Sequence, residues 1–260
     1  MRLLQAGFFS CGYRLAALGD AIVMSPIVRR FARDSDQLYF PVRAANYYTV
    51  QCLFQDLANV DVFAYTHDAA IEQYLSTRKH FRINAPEIHM TDIHLPGIPG
   101  AVSIPINWDR QLYEFYDIPF SARYHEFRLP RRIAGADALY DRLTQGATEY
   151  CLVHQQTFHH MQGEMQLNLA TWRQLYNLPP LKIIEITPDI TNNMLEYVKL
   201  IENAREIHCV PSSFFCLVDS ITEHTQATLY YHDLRATTMM QINSKWNNFR
   251  WNVVKYDKKL

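Results

Sequence analysis

Short apolar runs of strand character alternate with segments of helical period along nearly the whole chain, and this alternation restricts the fold more than any other feature. The first half reads as strand 3–9, helix 20–33, strand 37–42, helix 46–57, strand 60–65 and helix 68–76. The second half reads as helix 137–143, strand 150–154, helix 168–176, strand 181–186, helix 192–204, strand 206–210, helix 213–221 and strand 228–232. Parallel strands need a crossover between them, usually a helix, so this order predicts parallel sheets covered by helices. Residues 81–105 are rich in Pro and His and show no period; a short strand and long surface loops are expected there, then a helix over 108–116 that Pro119 ends. The basic, proline-bearing stretch Arg128-Leu129-Pro130-Arg131-Arg132 separates the two series and marks the expected boundary. Two α/β lobes facing a cleft follow, over residues 1–128 and 129–260. The tail, with Trp246, Phe249 and Trp251, is too aromatic for a loose terminus and is expected to pack back on the body.

Composition sets the class. Hydrophobic residues make up 48% and charged residues 20% of the 260 positions, enough for a real core and no basis for disorder. The 25 Lys and Arg nearly cancel the 26 Asp and Glu, so nothing draws nucleic acid electrostatically and no nucleic-acid partner is expected. No apolar run approaches the roughly 18 residues that span a bilayer, and the apolar opening, closed by Arg14, is too short for a secretory signal. The five cysteines, Cys11, Cys52, Cys151, Cys209 and Cys216, include no C-x-x-C pair. Cys151 and Cys209 fall inside apolar strands, where cysteine acts as a small hydrophobe, and a reducing cytoplasmic setting is the simplest reading. The 16 tyrosines against only 8 glycines give rings for sugar or base stacking, or simply for filling a core.

Two strand-to-helix junctions, one in each half, carry the chemistry. The first is Leu18-Gly19-Asp20-Ala21-Ile22-Val23-Met24-Ser25-Pro26. Asp20 falls at the first turn of a helix, where free N–H groups and the helix dipole favour negative charge by a few tenths to about 1 kcal/mol. It is therefore either a helix cap or, exposed in the cleft, a base that takes a proton from an attacking hydroxyl. Gly12 and Gly19 would let the loop backbone approach a ligand closely. The second junction runs from Glu206 through Pro211, Ser212 and Ser213 to Ser220. Ser212 and Ser213 open a helix whose free N–H groups and hydroxyls would suit a diphosphate, unless one serine merely caps it.

The polar loop expected at 155–163 holds His159 and His160, and its side chains could bond phosphate or sugar hydroxyls. No H-x-x-x-H or H-E-x-x-H spacing supports a metal there, and His89 and His94 around Asp92 fare no better. A phosphate-binding G-x-x-x-x-G-K-[ST] loop, a G-x-S-x-G elbow and a G-x-G-x-x-G fingerprint are all missing from the sequence.

The first junction resembles the signature of GT-B-type glycosyltransferases, particularly the heptosyltransferase-like group: an opening strand, a loop ending in Gly-Asp, and a helix with Pro six positions after the Asp. Here those positions are Gly19, Asp20 and Pro26. The second junction is similar to that group's D-[ST]-G-x-x-H-L-A helix start at Ser212, Ser213 and Leu217. It departs from it at Pro211 (acidic in the family), Phe214 (glycine) and Cys216 (histidine). The resemblance implies two Rossmann-like lobes in a compact version, with acceptor on the first and nucleotide-sugar on the second. It nominates Asp20 as catalytic base. The family usually has a phosphate-binding lysine after the strand at 150–154, and residues 155–163 have none; His154, Gln155, Thr157, His159 or Arg235 would replace it. The implied reaction is metal-independent, inverting transfer of a sugar to a glycan or glycoconjugate hydroxyl in glycan biosynthesis. It uses no cofactor beyond the nucleotide-sugar substrate. Acceptor contacts would come from the aromatic stretch 39–48 and the helix at 108–116. The alternatives are a non-catalytic binding or assembly protein on the same fold, supported by the departures just named, and a sugar-nucleotide epimerase or hydrolase.

Overall fold

The alternation is realised as two parallel sheets. A computed structural model describes residues 2–4, 17–76, 81–83, 90–94, 101–105, 107–159, 163–175, 178, 180–233 and 250–255. In the first half, β1 (Arg2–Leu4), β2 (Leu38–Arg43), β3 (Val60–Tyr65) and β4 (Phe81–Ile83) pair in the order β3-β2-β1-β4, every pair parallel. In the second half, β7 (Tyr150–His154), β10 (Lys182–Glu185), β11 (Glu206–Cys209), β12 (Thr228–Asp233) and β13 (Trp251–Lys255) form a parallel sheet in the order β10-β7-β11-β12-β13. The helices between them are α1 (Leu18–Arg33), α2 (Tyr47–Leu53), α3 (Asp68–Leu75), α4 (Trp108–Phe115), α5 (Ala122–His125), α6 (Ala136–Thr144), α7 (Leu169–Leu175), α8 (Val198–Asn203) and α9 (Ser213–Ser220).

Both strand orders reverse direction once. The first sheet reverses between β1 and β4, and the second between β7 and β11. In open parallel sheets the crevice beyond the carboxyl ends of the strands at such a reversal is where ligands bind. The helices that leave β1 and β11 are α1 and α9, the two helices singled out in the sequence.

Three segments differ from their sequence reading. The expected helix at 192–204 is split: Asn193 caps a 3₁₀ turn at Met194–Tyr197 by accepting from the Leu195 N–H at 3.1 Å, and α8 follows. The expected polar loop at 155–163 is instead mostly an antiparallel hairpin of β8 (Gln156–His159) and β9 (Gly163–Gln166). The aperiodic stretch at 81–105 contains β4 and a second hairpin, β5 (Met90–His94) with β6 (Ala101–Pro105). The tail packs back as expected: β13 joins the second sheet and Trp251 is buried in the core. Trp246 and Phe249 lie outside the described residues, as does most of the opening strand expected at 3–9.

The largest apolar cluster among the described residues runs through both halves. Ile22, Val23, Met24, Ile27 and Val28 of α1 belong to the same cluster as Phe214, Leu217 and Val218 of α9 and Leu152, Ile207 and Leu229 of the second sheet. The 3.6-residue period of these apolar positions makes α1 and α9 pack side by side. Polar anchors fix the rest. Arg29 clamps Asp56 with two hydrogen bonds, at 2.7 and 2.9 Å, and donates to the Leu53 carbonyl at 2.9 Å, which closes off the end of α2. Arg30 reaches Glu126 beyond α5, and the Tyr113 hydroxyl of α4 donates to the Val23 carbonyl at 2.8 Å, one turn before Pro26.

Candidate functional site

Gly19 sets the geometry. A Cβ built on it would stand 3.0 Å from Cys216 Sγ and 3.4 Å from Ser213 Cα, so the first turn of α1 rests directly on the first turn of α9. Any side chain here would force Cys216 or Ser213 to give way by a few tenths of an ångström. Gly19→Val would push a branched side chain against the Ser213 backbone. Overpacking of this kind costs about 1–3 kcal/mol, so the melting temperature should fall by several degrees; an unchanged value would mean that the two turns are not pressed together.

Asp20 occupies the third position of α1 and accepts a hydrogen bond from the Ala17 N–H at 2.8 Å. This is one half of a capping box; Ala17, at the cap, has no oxygen to complete the other half. Asp20 thus supports the helix start without being the cap residue. It is also buried, with 8% of its surface exposed. Burial is the largest influence on its carboxyl and, against the weaker opposing effect of the Ala17 hydrogen bond, lifts the pKa from 3.8 to about 7. A carboxyl that titrates there can hold or release a proton near neutrality.

On the facing turn, Ser212 is the N-cap of α9, its hydroxyl oxygen accepting from the Phe215 N–H at 3.2 Å. An accepting hydroxyl keeps its own proton to donate. Ser213 is the first residue of the helix, and both serines are partly exposed. His154 ends β7 on the other side of the reversal. Its ring stacks on Phe214 at 5.9 Å, and its carbonyl accepts from the Val210 N–H at 3.2 Å. Burial drives the His154 pKa down to about 4, so it is neutral at pH 7 and offers a hydrogen bond but no charge. Its Nδ1 is buried and has no hydrogen-bond partner among the described residues.

The remaining residues read from the sequence fall variously. Gln155 follows His154 and donates to Glu185 at 2.7 Å. Thr157 and His159 lie on β8. Gly12 and Arg235 are outside the described residues. Of the aromatic positions read as acceptor contacts, Tyr39, Trp108 and Tyr113 are buried and serve the core. Tyr47 and the 56% exposed Tyr48 instead form an edge-to-face pair, at 5.6 Å, just beyond the end of β2. The structure therefore brings together Gly19, Asp20, Ser213 and Cys216, with Ser212 and His154 adjoining. Sequence reading noted Cys216 only as a departure from a motif and missed its seat against Gly19. That contact is long-range, and no local pattern announces it.

Parallel sheets whose reversal points carry these two junctions define an α/β protein of Rossmann-like build. The fold is shared with the solved structure of a glycosyl transferase of family 9 from Veillonella parvula, with a TM-score of 0.54 and 8% identity over 98% of this chain and 86% of that one. At that identity the likeness is one of fold. No family model and no curated protein matches the sequence.

Proposed function

We propose that this protein is a glycosyltransferase of the GT-B type, moving a sugar from a nucleotide-sugar to an acceptor hydroxyl with inversion and without a metal in the chemistry. The observation that carries the reading is the contact of the Gly19-Asp20 turn with the Ser213 turn, which joins a carboxylate of raised pKa to a helix N-terminus suited to an anion. In this reading residues 1–128 are the acceptor lobe and residues 129–260 the donor lobe, working in the cytoplasm. Among the described residues no helix is long and apolar enough to cross a membrane.

In the mechanism, ionised Asp20 takes the proton of the acceptor hydroxyl, whose oxygen attacks the anomeric carbon from the face opposite the leaving group. The bond to the nucleoside diphosphate breaks, and its charge develops against the α9 N-terminus and the Ser212 and Ser213 hydroxyls. Fixed donors aimed at developing charge are usually the largest source of rate, each worth about 2.7–4 kcal/mol. Neutral His154 adds a hydrogen bond, and Gln155, Thr157, His159 and Arg235 complete the donor site.

The test is a thermal-shift screen against nucleoside diphosphates and nucleotide-sugars, with and without magnesium. A ligand at a hundred times its dissociation constant adds about 2.7 kcal/mol, which moves the midpoint by several degrees. A selective shift with one nucleotide, independent of magnesium, is the expected result. No shift with any of them would favour a non-catalytic binding protein, and donor turnover without acceptor would favour a hydrolase or epimerase.

A further inference from the structure

Leu169, Trp172 and Arg173 form the buried side of α7, at helical spacing, while Ala170, Thr171 and Gln174 are exposed. The helix lies on the face of the second sheet away from α9, against Cys151, Val153 and Val210. Strand geometry sets polar groups into that wall. Glu206 and His208 are two apart on β11 and so share a face. The register pairs His208 with Tyr230 on β12, so His232 lies one step diagonally beyond His208. Both histidines are fully buried. Trp172 meets their rings edge-on, at 5.1 Å from His208 and 5.0 Å from His232, and Tyr230 stacks on His208 at 4.5 Å. Arg173 pairs with Glu206 and also bonds the Cys151 sulfur. The inner side of α7 thus rests on a histidine pair and a carboxylate.

We propose that this pair is an acid-sensitive latch: α7 stays seated while both rings are neutral, and their protonation releases it from the sheet. His208 Nδ1 is 2.8 Å from His232 Nε2, and His208 Nε2 is 3.4 Å from Glu206 Oε2, the same oxygen that Arg173 holds. With both rings neutral, His232 Nε2–H donates to His208 Nδ1 and His208 Nε2–H faces the carboxylate, so no like groups oppose one another. A proton added to either ring puts a second cation in a wall that excludes water. One carboxylate would then serve two positive charges, and release of α7 lets water reach them. The latch stands apart from the reaction proposed at Asp20.

The surrounding groups act in the same sense. Burial lowers the His208 pKa, with Arg173 adding to it and Glu206 opposing. Burial and the neighbouring His208 take His232 down to about 3. Tyr230 and the Cys151 thiol, which also face the pair, are both pushed up by burial and stay neutral. Once α7 is released, the rings meet water and titrate near 6.5. Seating is therefore favoured above that pH and weakens as pH falls toward the seated values. Between pH 7.5 and 5.5 this multiplies the released fraction by about ten for each histidine that charges.

The experiment is amide hydrogen exchange on the full chain at pH 7.5 and 5.5, corrected for the intrinsic pH dependence of exchange, with α9 as internal reference. Protection of α7 relative to α9 should fall by about tenfold or more in the wild type. It should not change with pH in a His208→Gln, His232→Gln double variant, whose amides still hydrogen-bond but cannot charge. Wild-type protection that holds steady relative to α9 overturns the proposal, as does a double variant that loses protection as the wild type does. A histidine-ring NMR titration of the wild type needs no variant to fold. Both rings still neutral at pH 6 while α7 is protected is the expected result; either ring charged there with α7 still protected overturns it.

Discussion

Asp20→Asn is expected to raise the stability of the fold at pH 8 while abolishing the proposed sugar transfer. The carboxyl is buried, and burial holds its pKa at about 7 against 3.8 for the ordinary group. A folded-state pKa above the unfolded one favours the fold while the group is protonated. That contribution is fully present below about pH 4 and is lost as pH rises toward 7, because the unfolded chain ionises first. At 1.36 kcal/mol for each pKa unit, the loss reaches up to about 4 kcal/mol at pH 8. Asparagine never ionises, and its amide oxygen still accepts from the Ala17 N–H. The variant should therefore lose this pH dependence and melt higher than wild type at pH 8, with the difference fading by pH 4. Wild-type kcat/KM should rise with pH through an apparent pKa near 7 as the base ionises. Nucleotide binding, which the proposed mechanism assigns to the α9 side, should survive the substitution. Parallel stability curves for the two proteins between pH 4 and 8 would sink the idea, since the carboxylate would then be ionised throughout. A buried carboxylate that weakens the fold at working pH is the kind of expense found at functional positions.

Much of the architecture was legible because the forces that set it are local. The apolar periods of 3.6 and 2 fix α1, α4, α9, β3, β7 and β12 to within a residue or two, since each buries one side or face. The Gly19-Asp20 and Ser212-Ser213 junctions stood out for the same reason: turn and capping chemistry is written within four residues. What escaped was decided elsewhere in the chain. Residues 155–163 carry polar side chains that read as loop, yet Gln156 to His159 pair across to Gly163 to Gln166, and such pairing depends on a partner strand rather than on composition. The split at Asn193 is local, but an Asn inside an apolar helical period is outweighed in any windowed reading. Tyr39 and Tyr113 looked like ligand contacts because tyrosine suits both roles, and only the three-dimensional core assigns them to packing.

Arg123→Leu is expected to be the most damaging single substitution outside the apolar core. Arg123, on the short helix α5, is fully buried between two carboxylates that are themselves fully buried, Asp109 of α4 and Asp219 of α9. Tyr124 lends its hydroxyl to both Arg123 and Asp219, at 3.0 and 3.2 Å, and Trp251 of β13 donates to the other Asp219 oxygen at 2.9 Å. Burial by itself would weaken the Arg123 cation, but Tyr124, Asp219 and Asp109 reverse that and hold its pKa above the ordinary arginine value. One guanidinium thus ties helices of the first half to the helix that begins at Ser213. Removing it leaves two negative groups in a dry interior, a change that costs about 3–5 kcal/mol. For a chain of this length that lowers the melting temperature by roughly 10 °C. The partners distinguish charge from packing. Adding Asp109→Asn and Asp219→Asn to Arg123→Leu should recover part of the loss, because replacing every member of a buried ionic network is far milder than orphaning some of them. A loss under about 1 kcal/mol for the single variant would contradict this account. So would a triple variant less stable than the single one, since the introduced leucine would then be harmful by shape alone. With α9 loosened, the Gly19 contact should loosen too, so Arg123→Leu should weaken nucleotide-dependent stabilisation as well as the fold.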